Sequence, residues 1–167
     1  ISIDHINREK PRASFLRFPT KEAALLNQKR YSHNYKNLNG NWKFLFLEAP
    51  EYSPENFYAN DFDNSKWNEI VVPGNWQLQG YGKMHYSDLW YNFPINPPYV
   101  PTENPTGIYK RQFSIDSTWM GKRIILKFNG VDSAFNLWIN GKEIGYSKGA
   151  RIQSEFDITD YVVKGEN

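Results

Sequence analysis

The stretch Phe135–Gly149 reads FNLWINGKEIGYSKG and decides the fold class. Within it, two runs of β-forming residues flank the dipeptide Asn140-Gly141. Asn and Gly both accept the positive φ angles of a type I′ turn, which joins two antiparallel strands through a two-residue loop. The stretch therefore predicts a β-hairpin.

Further predicted strands lie outside this hairpin. In LNGNWKFLFL, Asn39-Gly40 signals a turn, and Trp42, Phe44 and Phe46 alternate with the residues of a second face. The other strand-like segments are residues 69–73, 107–115, 123–130 and 154–159. Short strands separated by turn signals predict an all-β sandwich.

Residues 20–29, TKEAALLNQK, form the convincing helical stretch of the sequence. Thr20 is a suitable N-cap, and the alanines and leucines that follow have high helix propensity. We therefore expect an N-terminal extension with one short helix over residues 1–37, followed by a single β-sandwich domain over residues 38–167.

Composition narrows the class of protein. The 167 residues are 40% hydrophobic and 17% aromatic, which is enough for a core and excludes a disordered chain. The absence of Cys excludes disulfides and thiolate sites. A net charge of +2 without a basic stripe argues against nucleic acid, and no apolar run is long enough to span a membrane. The compartment stays open between cytoplasm and periplasm or secretion, because the sequence begins without Met.

The sequence contains no self-sufficient catalytic or metal-binding set. Its three His residues lack the spacing of a zinc site, and no Walker or Gly-x-Ser-x-Gly motif is present. Glycoside hydrolysis needs two carboxylates that face each other across a sugar. The acidic residues Glu103, Asp132, Glu155 and Asp157 are explained more simply as turn residues and caps.

A long segment between the strands, residues 73–107, is dense in Pro, Gly, Asn and aromatic residues. So long a stretch without regular structure is often functional. Aromatic rings beside amides suit sugars, because apolar sugar faces pack on rings and amides satisfy hydroxyls. The alternative is that these rings pack the loop onto its own sandwich. The rings are Trp76, Tyr81, Tyr86, Trp90, Tyr91, Phe93 and Tyr99.

The same segment resembles a known family. The strings VPGNWQ at 72–77 and YNFPINPPYVPTENPTG at 91–107, then FNGVDSAF at 128–135 and SEFD at 154–157, resemble the N-terminal domain of glycoside hydrolase family 2 β-galactosidases. The resemblance spans nearly the whole chain, in order and with matching spacing. It departs at residues 148–153, KGARIQ, which are not the sugar contact.

The resemblance implies a jelly-roll β-sandwich of the galactose-binding-domain-like type, with site residues on the long loop. Asn96 of the NPP string binds galactose hydroxyls in the family. Pro97 and Pro98 hold it through their fixed φ angles, and Tyr91 and Glu103 support the loop. The two catalytic Glu residues lie in a barrel outside this chain, so the resemblance implies no catalytic or metal-binding residue within it.

The resemblance also implies the partners. In the family an immunoglobulin-like domain and a TIM barrel follow, the mechanism is retaining, the enzyme is a homo-oligomer, and Mg²⁺ and Na⁺ bind to other residues. We expect a piece of a β-galactosidase, without hydrolase activity of its own, whose substrate is a β-galactoside. The alternatives are a free-standing carbohydrate-binding module, a pure interaction domain, or a domain of another family 2 glycosidase such as a β-glucuronidase.

Overall fold

The computed structural model describes residues 3–84 and 95–167, whose regular secondary structure is mostly strands. The helix α1 spans Lys21–Leu26. The strands of the described residues are β1 (His5–Ile6), β2 (Gly40–Leu47), β3 (Asn68–Val72), β4 (Thr106–Lys110), β5 (Ser114–Ile115), β6 (Ile125–Phe128), β7 (Ala134–Ile139), β8 (Lys142–Lys148), β9 (Ser154–Asp157) and β10 (Gly165–Glu166). The all-β prediction is confirmed.

The described chain divides into two compact units. The first comprises Ile1–Asn37, Tyr58–Asn60 and Gln112–Asn167, and the second comprises Leu38–Phe57 and Asp61–Arg111. The first unit contains sheets of order β1-β8-β7, β6-β9 and β10-β5, and the second contains the sheet β3-β2-β4, all antiparallel.

The predicted hairpin is β7 and β8 of the first unit. Its turn residues Asn140 and Gly141 have φ angles of 50° and 77°, as a type I′ turn requires. On its other edge, β8 pairs with β1. A Cβ on Gly145 of β8 would lie 2.3 Å from the carbonyl oxygen of Ile6, so only glycine allows this approach.

The core of the first unit is aliphatic around one phenylalanine, Phe156 of β9, which is completely buried. Each such side chain contributes roughly 1.5–3 kcal/mol when fully removed from water. The other buried core residues are Ile115, Ile124, Ile139, Ile144, Ile158 and Val162.

The second unit has an aromatic core. Phe44 of the central strand β2 is completely buried, and its ring lies 4.8 Å from that of Tyr81 and 4.7 Å from that of Tyr109. Phe44 and Phe46 both contact Trp76, which confirms the alternation predicted for β2.

The structure differs from the predicted strands in two places. Residues 107–115 form two strands, because β4 pairs with β2 whereas β5 pairs with β10. The change of partner falls at Phe113, whose backbone exchanges hydrogen bonds of 3.0 and 2.8 Å with that of Asn167. The strands β1 and β10 were not predictable, because two residues carry no alternation.

The helix is shorter than the segment predicted for it. The Thr20 side chain accepts a hydrogen bond of 3.2 Å from the Ala23 N–H, which confirms the N-cap. The helix ends at Asn27, which has a left-handed conformation. The segment 1–37 also supplies β1, and the boundary at residues 37 and 38 stays a prediction.

Candidate functional site

The candidate site is the long loop between β3 and β4 in the second unit. Its first turn is a 3₁₀ helix, Trp76–Gln79, and its last residues run into β4 at Thr106. The structure describes the two ends of the loop and its residues 95–105. These parts show how the loop is anchored and where Asn96 lies.

A ring-on-backbone contact joins the two ends of the loop. The Trp76 ring packs edge-on against Phe46, with ring centroids 5.6 Å apart. A Cβ on Gly107 would lie 2.6 Å from an atom of the Trp76 ring and 2.7 Å from the Phe44 ring. Glycine at 107 therefore lets the indole lie directly against the backbone of β4.

A side-chain amide anchors the first end to the edge of β3. Gln79 Oε1 accepts a 2.8 Å hydrogen bond from the Val71 N–H, and Gln79 Nε2 donates a 3.0 Å bond to the Val71 carbonyl. The amide thus satisfies the main-chain groups of a residue on the edge strand β3, in the way that a neighbouring strand would.

The second end of the loop is held by one main-chain and one side-chain hydrogen bond. The Asn104 N–H donates to the Glu48 carbonyl at 3.2 Å, and Thr106 Oγ1 donates to the Asn104 carbonyl at 3.0 Å. These bonds fix the string PTENPTG beside the end of β2.

Asn96 begins a tight turn on the exposed part of the loop. The Tyr99 N–H donates a 2.9 Å hydrogen bond to the Asn96 carbonyl, with Pro97 and Pro98 between them and a cis bond joining the two prolines. The Asn96 side chain is exposed and has no hydrogen bond to another described residue. Its amide is therefore available to a ligand, and its role in sugar binding stays a prediction.

The predicted supporting residues differ in what the structure shows of them. Pro97 and Pro98 form the centre of the Asn96 turn. Glu103 is exposed, and its carboxylate lies 4.0 Å from the Lys83 ammonium, a distance and exposure at which an ion pair contributes little. Tyr91 lies outside the described residues.

The aromatic residues of the loop divide into packing and exposed rings. Trp76 and Tyr81 are half-buried and pack against Phe44 and Phe46, as the structural alternative predicted. Tyr99 is 73% exposed. The rings of Tyr86, Trp90 and Phe93 lie outside the described residues.

Two further candidate carboxylates, Glu155 and Asp157, form closer ion pairs than Glu103 does. Glu155 lies 2.7 Å from Arg12, and Asp157 lies 2.7 Å from Arg123. Burial raises the pKa of Asp157, but hydrogen bonds from Thr159 and Arg123 bring it below the ordinary value of 3.8. A general acid needs a raised pKa, and these hydrogen bonds act in the opposite direction.

The structure shows no metal centre and no membrane-spanning helix in the residues that it describes. Across residues 3–84 and 95–167, no three His, Asp or Glu side chains come together in a way that could hold a metal ion. Within the same ranges, no helix has the length and apolar character needed to cross a bilayer.

The first unit also has an open groove of about 360 Å³. Its two acidic side chains both pair with Arg123, Glu9 at 2.9 Å and Asp157 at 2.7 Å. The partner of both acidic side chains thus lies outside the groove lining. The lining residues are Asn7, Arg8, Glu9, Ile144, Asp157 and Tyr161.

Sequence reasoning missed the anchors of the loop, the Gln79 amide and the Trp76–Gly107 contact. Gln77 and Gln79 look alike in the sequence, and only the register of the 3₁₀ turn brings one of them to Val71. The glycine that closes PTENPTG was the available signal, because a strand glycine often marks a close approach.

Comparison with known proteins identifies the family. The family model described as glycosyl hydrolases family 2, sugar binding domain, matches residues 35–167. The chain belongs to this family. The resemblance seen in the sequence is thereby confirmed.

Curated relatives of this family 2 domain are named beta-galactosidase. The protein of Priestia megaterium (strain DSM 319 / IMG 1521) is 42% identical over 170 residues, which cover 99% of this chain and 16% of the relative. The protein of Psychromonas ingrahamii (strain DSM 17664 / CCUG 51855 / 37) is 44% identical over 150 residues, which cover 90% of this chain and 14% of the relative. The chain thus spans about a sixth of the length of these relatives.

The solved structures of similar fold include proteins named beta-glucuronidase rather than beta-galactosidase. The crystal structure of Bacteroides uniformis beta-glucuronidase matches with a TM-score of 0.56 and 26% identity, over 78% of this chain and 13% of that one. Lactobacillus rhamnosus beta-glucuronidase matches with a TM-score of 0.55 and 26% identity, over 79% of this chain and 20% of that one. These likenesses agree with the family 2 assignment.

Proposed function

We propose that this chain is the sugar-binding domain of a longer β-galactosidase and that its long loop brings Asn96 to the galactose subsite. The observation that carries the proposal is the 42% identity to a beta-galactosidase across 99% of the chain. The loop strings that carry the resemblance, NPP and PTENPTG, also contain Asn96 and the anchors of the second end of the loop.

The geometry supports this role for Asn96. An amide offers one acceptor and two donors, which match the hydroxyls of a sugar. The Asn96 turn has two prolines at its centre and is closed by a main-chain hydrogen bond, so little conformational freedom is lost when a ligand binds. Anchors at both ends of the loop restrict where the turn can go.

The chemistry of hydrolysis belongs to other parts of the longer enzyme. A retaining glycosidase uses one carboxyl group as nucleophile and another as acid and base, about 5–5.5 Å apart. Glu155 and Asp157 are ion-paired instead. As the family resemblance implies, the catalytic pair belongs to a downstream barrel, and the Mg²⁺ and Na⁺ of the family bind to residues outside this chain. The immunoglobulin-like domain and the homo-oligomer belong to the same proposal.

The alternative of a free-standing sugar-binding module needs more contact than Asn96 supplies. A net hydrogen bond contributes roughly 0.5–1.5 kcal/mol, whereas millimolar affinity needs about 4 kcal/mol. We therefore expect no binding of galactose to the 167-residue chain at millimolar sugar. Millimolar binding in a calorimetric titration would support the module instead.

The experiment that tests the proposal is a substrate comparison. The protein at its natural length is assayed on an aryl β-galactoside and on the matching aryl β-glucuronide. We expect the larger kcat/KM for the galactoside, and no turnover by the 167-residue chain above a heat-denatured control. A preference for the glucuronide would show that the proposed substrate class is wrong. Turnover by the isolated chain would overturn the proposal that this domain is not catalytic on its own.

A further inference from the structure

The chain contains three Asn-Gly dipeptides, at Asn39, Asn129 and Asn140. In such a pair the glycine nitrogen can attack the asparagine side chain, because glycine has no Cβ to hinder the approach. We propose that Asn129 is a site of spontaneous deamidation in the folded protein and that Asn140 is protected by its hydrogen bonds.

The amide of Asn140 is held on two sides. Its Nδ2 donates 2.8 Å to the Tyr161 carbonyl and 2.9 Å to Asn167 Oδ1. Nδ2 is the atom that must leave as ammonia, so both bonds have to break first. The backbone of Asn140 is also fixed in the hairpin turn by strands on both sides. The free energy needed to break both hydrogen bonds adds to the barrier and slows the reaction by about tenfold or more.

Asn39 is constrained through the residue that follows it. Gly40 is the first residue of β2 and pairs with Val72 in the sheet. Its nitrogen would have to leave the ladder geometry to reach the Asn39 side chain. We therefore expect Asn39 to react more slowly than Asn129.

Asn129 has neither protection. It follows the last residue of β6, and both Asn129 and Gly130 are exposed. Among the residues that the structure describes, neither the Asn129 amide nor the Gly130 N–H has a hydrogen-bond partner. A Cβ on Gly130 would lie 3.3 Å from Cα of Arg151, so tight packing favours glycine here and keeps the reactive pair.

The reaction balances without a cofactor. The Gly130 nitrogen forms a bond to Cγ of Asn129 and loses its proton to water or hydroxide, while the Cγ–Nδ2 bond breaks and ammonia leaves. Water then opens the resulting five-membered imide. Attack at Cγ gives aspartate, and attack at the main-chain carbonyl carbon gives isoaspartate. Asparagine and one water become an acid and one ammonia, with no change of oxidation state.

The product changes the loop between β6 and β7. The new carboxylate lowers the formal net charge by one, from +2 to +1. Isoaspartate also inserts a side-chain carbon into the main chain four residues before Ser133, whose carbonyl accepts a 2.8 Å bond from the Gly149 N–H. We expect an acidic variant that accumulates as the protein ages.

One tryptic peptide contains both sites and supplies the test. Cleavage after Lys127 and Lys142 releases residues 128–142, FNGVDSAFNLWINGK. The protein is incubated at mildly alkaline pH, folded and in urea, and is then digested briefly with trypsin at a pH just below neutral, where deamidation is slow. Fragment-ion spectra of the peptide locate the conversion of amide to acid, so each site is the control for the other.

In the folded protein we expect Asn129 to convert about tenfold faster than Asn140 or more, and in urea we expect the two rates to converge. Asn129→Gln should abolish the acidic variant seen by ion exchange. Equal rates in the folded protein, or faster conversion of Asn140, would overturn the proposal. The result does not depend on glycosidase activity, so it is separate from a failure of the proposed function.

Discussion

Replacing Gly107 with alanine tests whether the loop is closed by the contact of Trp76 with β4. The added Cβ would lie 2.6 Å from the Trp76 ring and 2.7 Å from the Phe44 ring. Ordinary contacts are 3.4 Å or longer, so both rings would have to move by most of an ångström. Phe44 is completely buried. Overpacking of this kind costs about 1–3 kcal/mol, and we expect the upper half of that range.

The expected loss is large enough to measure by thermal unfolding. For a chain of this size, 1 kcal/mol lowers Tm by about 2–4 °C, so Gly107→Ala should lower it by about 4–12 °C. The double variant Gly107→Ala with Trp76→Phe removes the indole atoms that collide. Its loss should be smaller than the sum of the two single losses, as expected for residues in contact.

A change in Tm below about 1 °C for Gly107→Ala would refute this reasoning. Strict additivity in the double variant would show that the loss comes from another source. Either result would separate the two ends of the loop and would remove the main reason to regard the Asn96 turn as held in place.

Two further predictions concern other parts of the fold. Gln79→Ala removes both hydrogen bonds to β3 and should lower the free energy of unfolding by about 1–2 kcal/mol. The control Gln77→Ala, in the same 3₁₀ turn, should change it little. Equal losses in the two variants would contradict the contact of Gln79 with the edge strand. The lowered pKa of Asp157 reflects hydrogen bonds from Thr159 and Arg123 that outweigh burial, so its stabilisation is present above pH 3.8 and lost as pH falls through the lower folded value. Asp157→Asn should therefore flatten the acid limb of stability against pH, and an unchanged acid limb would contradict this.

Local chemistry made the fold class predictable. The Asn140-Gly141 turn, the alternation of β2 and the Thr20 cap depend on neighbouring residues, and the structure confirms all three. The short strands β1 and β10 depend on partners far along the chain. His5 pairs with Ser147, for example, and no local pattern of two residues records such a pairing.

The candidate site was less predictable than the fold. Asn96 was reached only through the resemblance, because an amide between Ile and Pro has no distinctive local pattern. The loop anchors depend on three-dimensional register, which places Gln79 rather than Gln77 beside Val71. The rings of Trp76 and Tyr81 suited a sugar platform by type, but they cover Phe44 and Phe46.

The most direct test of the proposed role is the kinetics of Asn96→Ala in the protein at its natural length. Loss of a hydrogen bond to a sugar hydroxyl should lower kcat/KM for an aryl β-galactoside by about threefold to tenfold. The matched control is Asn136→Ala, an exposed asparagine on β7, which should leave kcat/KM unchanged. Neither variant should change Tm, because neither side chain is hydrogen-bonded to another described residue. Wild-type kcat/KM in Asn96→Ala would contradict the placement of this loop at the galactose subsite.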